Sequence, residues 1–202
     1  MSRPAAGARE EHHMDFDPMD YGARADGVTD DASAIQAAVD ACSAAGGGRV
    51  LLRSGRTYRA ASVHLKSRVE LHLEGGSVLK ASDRLEDYFR PDQPGTDGPV
   101  SQVGTPVTGK PSYVFLYAYN AEHASVTGSG TIDGCGDAFV KRVSPWYVTG
   151  DFYPRPTLVY LENCRHITFR DTVMRNVAFW TLHLGGCRDV LVDAIRILNP
   201  LD

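Results

Sequence analysis

The sequence predicts an all-β chain that folds as a parallel β-helix with a capping helix at its N-terminal end. Three observations lead to this prediction. One helical pattern lies near the N-terminus, short strand-like runs separated by turn residues fill the rest of the chain, and two C-terminal segments repeat one another at a fixed offset.

The predicted helix begins after Asp30, which can accept N–H bonds in its first turn. Ile35, Ala38, Val39 and Cys42 follow at i, i+3, i+4 and i+7, which places them on one apolar stripe. Three glycines at 46–48 end the helix. Such a helix would lie across the open end of a solenoid and cover unpaired backbone groups.

The repeat aligns residues 163–176 with residues 186–199, so that Cys164 meets Cys187 and Asn176 meets Asn199. Val159 and Leu182 keep the same offset. The strand pattern alone fits either a β-sandwich or a solenoid. A period of about 20–25 residues favours the solenoid, in which each coil stacks on the one before. Stacked Asn176 and Asn199 could then bond through their side-chain amides.

Composition excludes several classes of protein. The chain has 202 residues, 43% of them hydrophobic, and a net charge of −4 without a basic run, which argues against nucleic acid and membrane surfaces as partners. No apolar segment reaches about 18 residues. Its four cysteines form no CxxC pair, so we expect no metal site and no cofactor. A disulfide between Cys164 and Cys187 is geometrically possible, but two buried thiols are the expected state.

Residues 1–18 are predicted to form a flexible tail and residues 19–202 the coils of one domain. The tail lacks the apolar core of a secretory signal, since Glu10 and Glu11 fall where that core would be. The sequence as given therefore predicts a cytoplasmic protein, or a secreted or periplasmic one if a signal was removed.

Several blocks together resemble glycoside hydrolase family 28, the polygalacturonase family of right-handed parallel β-helices. The blocks are DYGARADGVTDDASAIQAAVDACSAAGGGRVLL, GSGTIDGCGDAF, RPTLVYLENCRHITF and NVAFWTLHLGGCRDVLVDAIRILNP. The first block alone is not specific, because other β-helix proteins share it. The resemblance implies inverting hydrolysis of galacturonan or pectin-like polymers without a metal, and hence an acidic polysaccharide or oligogalacturonide as substrate.

The catalytic motifs of that family are absent from this sequence. It contains no Asn-Thr-Asp-Gly, no Gly-His-Gly and no Arg-x-Lys after the repeat, and its one Asp-Asp, Asp30-Asp31, sits at the helix cap. The resemblance places the first catalytic aspartate just beyond Asp202. We therefore expect a truncated domain with no catalytic residue, inactive alone, which self-associates through its open C-terminal coil.

Four residues are candidates for contact with substrate. Strand alternation turns Val159 inward, so Tyr160 and His183 should point outward, one above the other. Trp180 is a candidate for the edge of the cleft, although it shares the parity of core residue Leu182. Arg155 could pair with a uronate carboxylate or only anchor a loop, and an outward His or Tyr could also be a plain surface residue.

Two other functions remain open at this point. The chain could be a non-catalytic carbohydrate-binding or structural β-helix module. A tailspike-like or adhesin module that trimerises would share only the unspecific N-terminal block.

Overall fold

The computed structural model describes residues 14–91, 110–144, 147–149 and 155–199. These residues contain one α-helix, α1 (Ala32–Ala44), three short 3-10 helices (Pro18–Tyr21, Leu85–Asp87 and Gly136–Ala138) and eighteen strands. The strands are β1 (Asp15–Phe16), β2 (Asp26–Asp30), β3 (Gly48–Leu52), β4 (Thr57–Ala60), β5 (Val63–His64), β6 (Val69–Leu73), β7 (Val78–Ala81), β8 (Val114–Tyr119), β9 (Ser125–Thr127), β10 (Thr131–Asp133), β11 (Lys141–Ser144), β12 (Tyr147–Thr149), β13 (Thr157–Glu162), β14 (Arg165–Arg170), β15 (Val173–Arg175), β16 (Leu182–Gly185), β17 (Arg188–Asp193) and β18 (Arg196–Leu198).

Three parallel sheets run along the axis of the solenoid. Sheet A has the order β1-β3-β6-β9-β14-β17, sheet B the order β18-β15-β10-β7-β4-β2, and sheet C the order β16-β13-β8-β5. β11 and β12 form a separate antiparallel pair. The predicted all-β fold is confirmed: the chain is a right-handed parallel β-helix with one helix near its N-terminal end.

The strand register follows the repeat read from the sequence. Val159 pairs with Leu182 in sheet C, and Phe169 pairs with Val192 in sheet A. Val173 pairs with Arg196 in sheet B. The same offset therefore holds in all three sheets, so residues 163–176 and 186–199 belong to equivalent parts of successive coils.

Columns of apolar side chains fill the interior of the coils. In sheet A, Val50, Leu71, Val126 and Phe169 pair in succession, and each is at most 1% exposed. Burying an apolar side chain of this size contributes about 1.5–3 kcal/mol. The next member of the column, Val192, is 44% exposed, because it lies on the last described coil.

Helix α1 covers the N-terminal end of the coils with its apolar stripe. Ile35, Ala38, Val39 and Cys42 are completely buried, as predicted. Burial raises the pKa of the Cys42 thiol to about 11. Opposite this stripe, Gln36 reaches the backbone of β5, the edge strand of sheet C.

The two aspartates at the start of α1 have separate structural tasks. Asp30 Oδ1 accepts the N–H of Ala32 at 3.0 Å, so it assists the first turn as predicted. Asp31, only 2% exposed, accepts the N–H groups of Arg24 at 2.7 Å and Ala25 at 3.0 Å. Both carboxylates are thus engaged with backbone groups.

The N-terminal boundary of the fold lies within the segment predicted as a tail. Asp15 and Phe16 form β1 and pair with β3, and a 3-10 helix begins at Pro18. Residues 1–13, which make up the rest of the predicted tail, lie outside the described part of the chain.

The asparagines of the repeat bond differently from the expected amide ladder. Asn199 Oδ1 accepts the backbone N–H of Val177 at 2.9 Å. Asn176 Nδ2 donates to Asp133 and Asp137 of the preceding coil, at 3.3 and 3.0 Å. Asn176 has a φ of 52°, a left-handed conformation that asparagine tolerates well. Its Oδ1 also accepts the backbone N–H of Asp137 at 3.2 Å, so the amide bonds to backbone and carboxylate partners.

The structure also bears on the predicted thiols and on the predicted absence of a membrane span. Cys164 is buried and Cys187 is half-buried, and both are free thiols. Of the helices within the described ranges, none is long and apolar enough to cross a membrane.

Candidate functional site

The outer face of sheet C carries an aromatic ring at the same position of every strand. His64 pairs with Tyr117, Tyr117 with Tyr160, and Tyr160 with His183. We call these four residues the outer column. Adjacent strands lie about 4.8 Å apart, so the column extends over roughly 14 Å along the solenoid axis. The repeat predicted its last two members; the other two precede longer connections that break the fixed offset, so the repeat did not reveal them.

His183 is the end of the outer column on the last described coil. Its ring meets Tyr160 edge-on, with centroids 5.1 Å apart, and lies tilted against Trp180 at 5.7 Å. Partial burial lowers the pKa of His183. The imidazole is therefore neutral at pH 7, and a neutral imidazole offers one donor and one acceptor to a sugar hydroxyl.

Tyr160 occupies the predicted position but is covered by its neighbours. Only 2% of the residue is exposed, and its hydroxyl donates to Glu162 Oε2 at 2.9 Å. Burial, together with the carboxylate of Glu162, raises the pKa of the phenol. Its structural role is to support His183 from below, and contact with substrate through its own ring remains a sequence-based prediction.

A second polar position, which the sequence did not reveal, lies beside the column. Glu162 pairs in register with Tyr119, and its Oε2 also contacts Lys110 Nζ at 3.0 Å. The same ammonium lies 5.9 Å from the centroid of the Tyr119 ring. Glu162 could have been anticipated, because it follows Tyr160 by two residues and so shares its face. Lys110 could not, since it comes from a connection between strands.

Arg155 and Trp180 lie at the same end of sheet C, and both contact Phe179. Arg155 Nη1 donates to the carbonyl of Ala178 at 3.2 Å, and its guanidinium lies 4.9 Å from the centroid of Phe179. Phe179 in turn meets Trp180 edge-on at 5.8 Å. Arg155 therefore contacts the turn that carries Trp180, and its pairing with a uronate carboxylate stays a prediction.

Trp180 is 53% exposed and is not a core residue. The parity that it shares with Leu182 has no structural meaning, because β16 begins only at Leu182. An exposed indole beside an imidazole presents a flat apolar surface with one N–H donor. Such a surface is suited to the ring of a sugar.

The other end of the column is a stack of three rings. His64 and Phe89 both stack on Tyr117, with centroid distances of 4.7 and 4.3 Å and interplanar angles of 3° and 15°. Burial lowers the pKa of His64, helped by the charge of Lys66, so this imidazole is also neutral at pH 7. In the described part of the chain, no group of three or more His, Cys, Asp or Glu side chains is arranged to hold a metal ion.

Solved structures with this architecture include carbohydrate-active enzymes. A putative glycosyl hydrolase from Parabacteroides merdae matches with a TM-score of 0.70 at 25% identity, over 91% of this chain and 74% of that one. The exopolygalacturonase from Thermotoga maritima matches with a TM-score of 0.72 at 23% identity, over 92% of this chain and 47% of that one. These matches define the class: the chain is a right-handed parallel β-helix of the polygalacturonase-like type.

Sequence relatives point to two groups of polysaccharide-modifying enzymes. A probable polygalacturonase of Vitis vinifera is 26% identical over 189 residues, 91% of this chain and 36% of that protein. Mannuronan C5-epimerase AlgE2 of Azotobacter vinelandii is 40% identical over 143 residues, 66% of this chain and 12% of that protein. The chain thus spans much less than two thirds of the curated relatives it matches. No protein-family model matches it.

The resemblance to the polygalacturonase family that the sequence predicted is confirmed by these structures and relatives. The chain is related to glycoside hydrolases and other enzymes that modify polysaccharides.

Proposed function

We propose that this chain supplies polysaccharide-binding coils to a polygalacturonase-type hydrolase, which cleaves galacturonan or pectin-like polymers with inversion. The observation that carries the proposal is the outer column of sheet C, which ends in the adjacent His183 and Trp180 on a polygalacturonase-like fold. A linear sugar polymer laid along the axis would meet one strand after another.

Inverting hydrolysis requires a pair of carboxyl groups that this sequence does not provide in the family's motifs. An inverting glycosidase needs a carboxylic acid on one side of the scissile bond and a carboxylate that activates water on the other, about 6.5–9.5 Å apart. The family's aspartate motifs are absent from these 202 residues, and the carboxylates of Asp30 and Asp31 bind backbone N–H groups. We therefore expect binding without hydrolysis, in which the outer column positions the polymer.

The cations beside the column are proposed to attract uronate carboxylates. Arg155 lies at the Trp180 end and Lys110 lies beside Tyr119. Both are fixed by protein contacts, Arg155 by the carbonyl of Ala178 and Lys110 by Glu162. Their contribution is thus N–H donors held at defined places, rather than mobile side chains that search for the ligand.

A second candidate is action on a mannuronan-type polymer. The higher identity to the epimerase, 40% against 26% for the polygalacturonase, favours it over the part of the chain that aligns. Both relatives are named for a polymer of uronic acids, mannuronan in one case and polygalacturonan in the other. The same face would serve a non-catalytic carbohydrate-binding module, so binding of a polyuronate does not by itself separate that module from the other two candidates.

The experiment is a calorimetric titration of the pure chain with oligogalacturonides and oligomannuronides of equal length, combined with an assay for reducing ends. We expect saturable binding, at least ten-fold tighter for the galacturonides, and no release of reducing ends. Tighter binding of the mannuronides would favour the second candidate. Failure to bind either polymer would contradict both the galacturonan and the mannuronan candidate. Release of reducing ends by the pure chain would contradict the expectation that this chain binds without hydrolysing.

A further inference from the structure

A pocket opens where helix α1 meets the edge of sheet C. Its volume is about 430 Å³, which is within the range of about 300–1,000 Å³ typical of small-ligand sites. It is open to solvent on one side, as a site for part of a polymer must be. Seven polar or aromatic side chains line it: Ser33, Gln36 and Asp40 from the helix, and Ser62, His64, Lys66 and Tyr117 from the sheet side.

The pocket is held in shape by Gln36. Its Nε2 donates to the carbonyl of His64 at 3.1 Å, while its Oε1 accepts the N–H of His64 at 2.8 Å. The amide thereby completes the unpaired edge of β5 as a neighbouring strand would. These two hydrogen bonds hold helix α1 against β5. A ligand would therefore not have to organise the site.

The charges in the pocket balance one another. Lys66 Nζ lies 2.8 Å from Asp40 Oδ1, and Gln36 Nε2 donates to the same oxygen at 2.8 Å. The side chains of Lys66 and Asp40 are 37% and 50% exposed, so both remain accessible from the opening. The lining thus offers an anionic acceptor and a cationic donor side by side, with no net charge.

This arrangement suits hydroxyl groups better than a carboxylate. A hydroxyl both donates and accepts, so adjacent hydroxyls of one sugar can donate to Asp40 and accept from Lys66. A uronate carboxylate only accepts, and it would be repelled by Asp40 while competing for a lysine that is already paired. The stacked rings of His64 and Tyr117 add an apolar edge against which a sugar ring can lie.

The pocket is also continuous with the outer column. His64 and Tyr117 line the pocket and are the first two members of the column that ends at His183. A polymer lying on the column would therefore reach the pocket roughly 14 Å from His183.

We propose that this pocket is a subsite for a neutral, hydroxyl-rich sugar residue, which lies in a polymer otherwise rich in uronic acids. The proposal deepens the proposed function and rests on it for the nature of the polymer. The selectivity of the pocket for neutral sugars, however, is argued only from the side chains that line it, and it can be measured separately.

The direct test follows the side-chain amide of Gln36 by NMR while the chain is titrated with neutral monosaccharides (galactose, xylose and rhamnose) and, in parallel, with galacturonate. We expect at least one neutral sugar to shift the Gln36 signal at millimolar concentration and galacturonate to leave it unchanged. Ser33→Trp, which places a bulky side chain in the opening from an exposed helix position, should abolish the shift. Asp40→Asn should weaken it at least five-fold, while Asp20→Asn, the same change at an exposed site elsewhere, should not.

A larger shift with galacturonate than with any neutral sugar would overturn the proposal, as would the absence of any shift. A shift that persists in both Ser33→Trp and Asp40→Asn would do so too. Failure of the proposed function has a different signature, because it would appear as oligouronate binding that is absent or insensitive to His183→Ala, whatever the response of Gln36. The two ideas can therefore fail independently.

Discussion

His183 lies directly beside Tyr160 on the next coil, paired in register, with the two rings meeting edge-on at 5.1 Å and 73°. Tyr160 is buried and its hydroxyl is held by Glu162. The half-buried imidazole thus packs against a buried ring whose hydroxyl is held by Glu162. A rigid support of this kind reduces the conformational entropy that His183 would lose on binding a sugar.

Replacing Trp180 should affect binding and leave the fold intact. Because the residue is 53% exposed, Trp180→Ala should change the free energy of unfolding by less than about 0.5 kcal/mol. Loss of the aromatic platform should weaken oligouronate binding by about 0.5–1.5 kcal/mol, or roughly three- to ten-fold. Calorimetry and urea unfolding check the two parts. Trp180→Phe is the control that should retain most of the affinity, and a large loss of stability in either variant would contradict the surface role.

The stability of the fold should fall in acid because of Glu70 on the outer face of sheet A. Hydrogen bonds from His72 and Thr127 lower the pKa of Glu70 to about 2, despite the opposing effect of burial. The folded-state pKa lies below the unfolded value of 4.5. The stabilisation is therefore fully present above about pH 4.5 and is lost as the pH falls toward 2.

Urea unfolding measured between pH 6 and pH 2 checks this effect. The shift in pKa corresponds to about 3 kcal/mol between pH 6 and pH 2, which the wild type should lose and Glu70→Gln should not. Glu122→Gln removes an exposed carboxylate and should behave as the wild type does. Equal acid sensitivity of Glu70→Gln and the wild type would refute the assignment.

The two aspartates before α1 should contribute unequally to stability. Asp31→Ala removes the acceptor of two backbone N–H groups at a site that is 2% exposed, so it should cost about 3 kcal/mol. Asp30→Ala removes two exposed contacts, from the N–H groups of Ala32 and Ala61, and should cost about 1 kcal/mol because both groups can turn to water. Denaturant titration of both variants gives the comparison. Equal losses would mean that the burial of Asp31 does not matter.

The 202-residue chain should self-associate through the coil formed by β16, β17 and β18. Val192 and Ile197 continue the interior columns yet are 44% and 49% exposed, and unpaired strand edges favour pairing with another chain. Light scattering should show a concentration-dependent mass that Val192→Lys reduces. Leu191→Lys is a close control, since Leu191 is also 44% exposed but pairs with Thr168 on the outer face. A monomer at all concentrations would contradict the prediction.

The repeat in the sequence was sufficient to predict the fold and the register. Offsetting Val159 on Leu182 and Phe169 on Val192 fixes the stacking of the last two coils, because these coils are equal in length from sheet to sheet. The apolar stripe of α1 was predictable for the same reason, since 3.6-residue periodicity and burial are directly linked. Strand alternation also placed Tyr160 and His183 on one face.

The details of the site depended on contacts that no periodicity encodes. Alternation gives the face on which Tyr160 lies but not the neighbours that cover it. Trp180 lies outside the strand, so its parity was uninformative. Lys110 and Phe89 reach sheet C from a connection between β7 and β8, whose path the sequence does not specify. The backbone N–H of Val177 donates to Asn199 Oδ1 in place of an amide ladder, a contact that the repeat does not encode.

The central claim, that the outer face of sheet C binds a polyuronate, is tested most directly by calorimetric titration of wild type and His183→Ala with oligogalacturonides at pH 7. We expect saturable binding by the wild type and an affinity about five- to twenty-fold lower for His183→Ala, as the loss of one or two sugar hydrogen bonds would produce. The control is His123→Ala, which should bind as the wild type does. His123 is an exposed histidine in the turn before β9, where it stacks on His166. Identical affinities for wild type and His183→Ala, or no binding by the folded wild type, would contradict the claim.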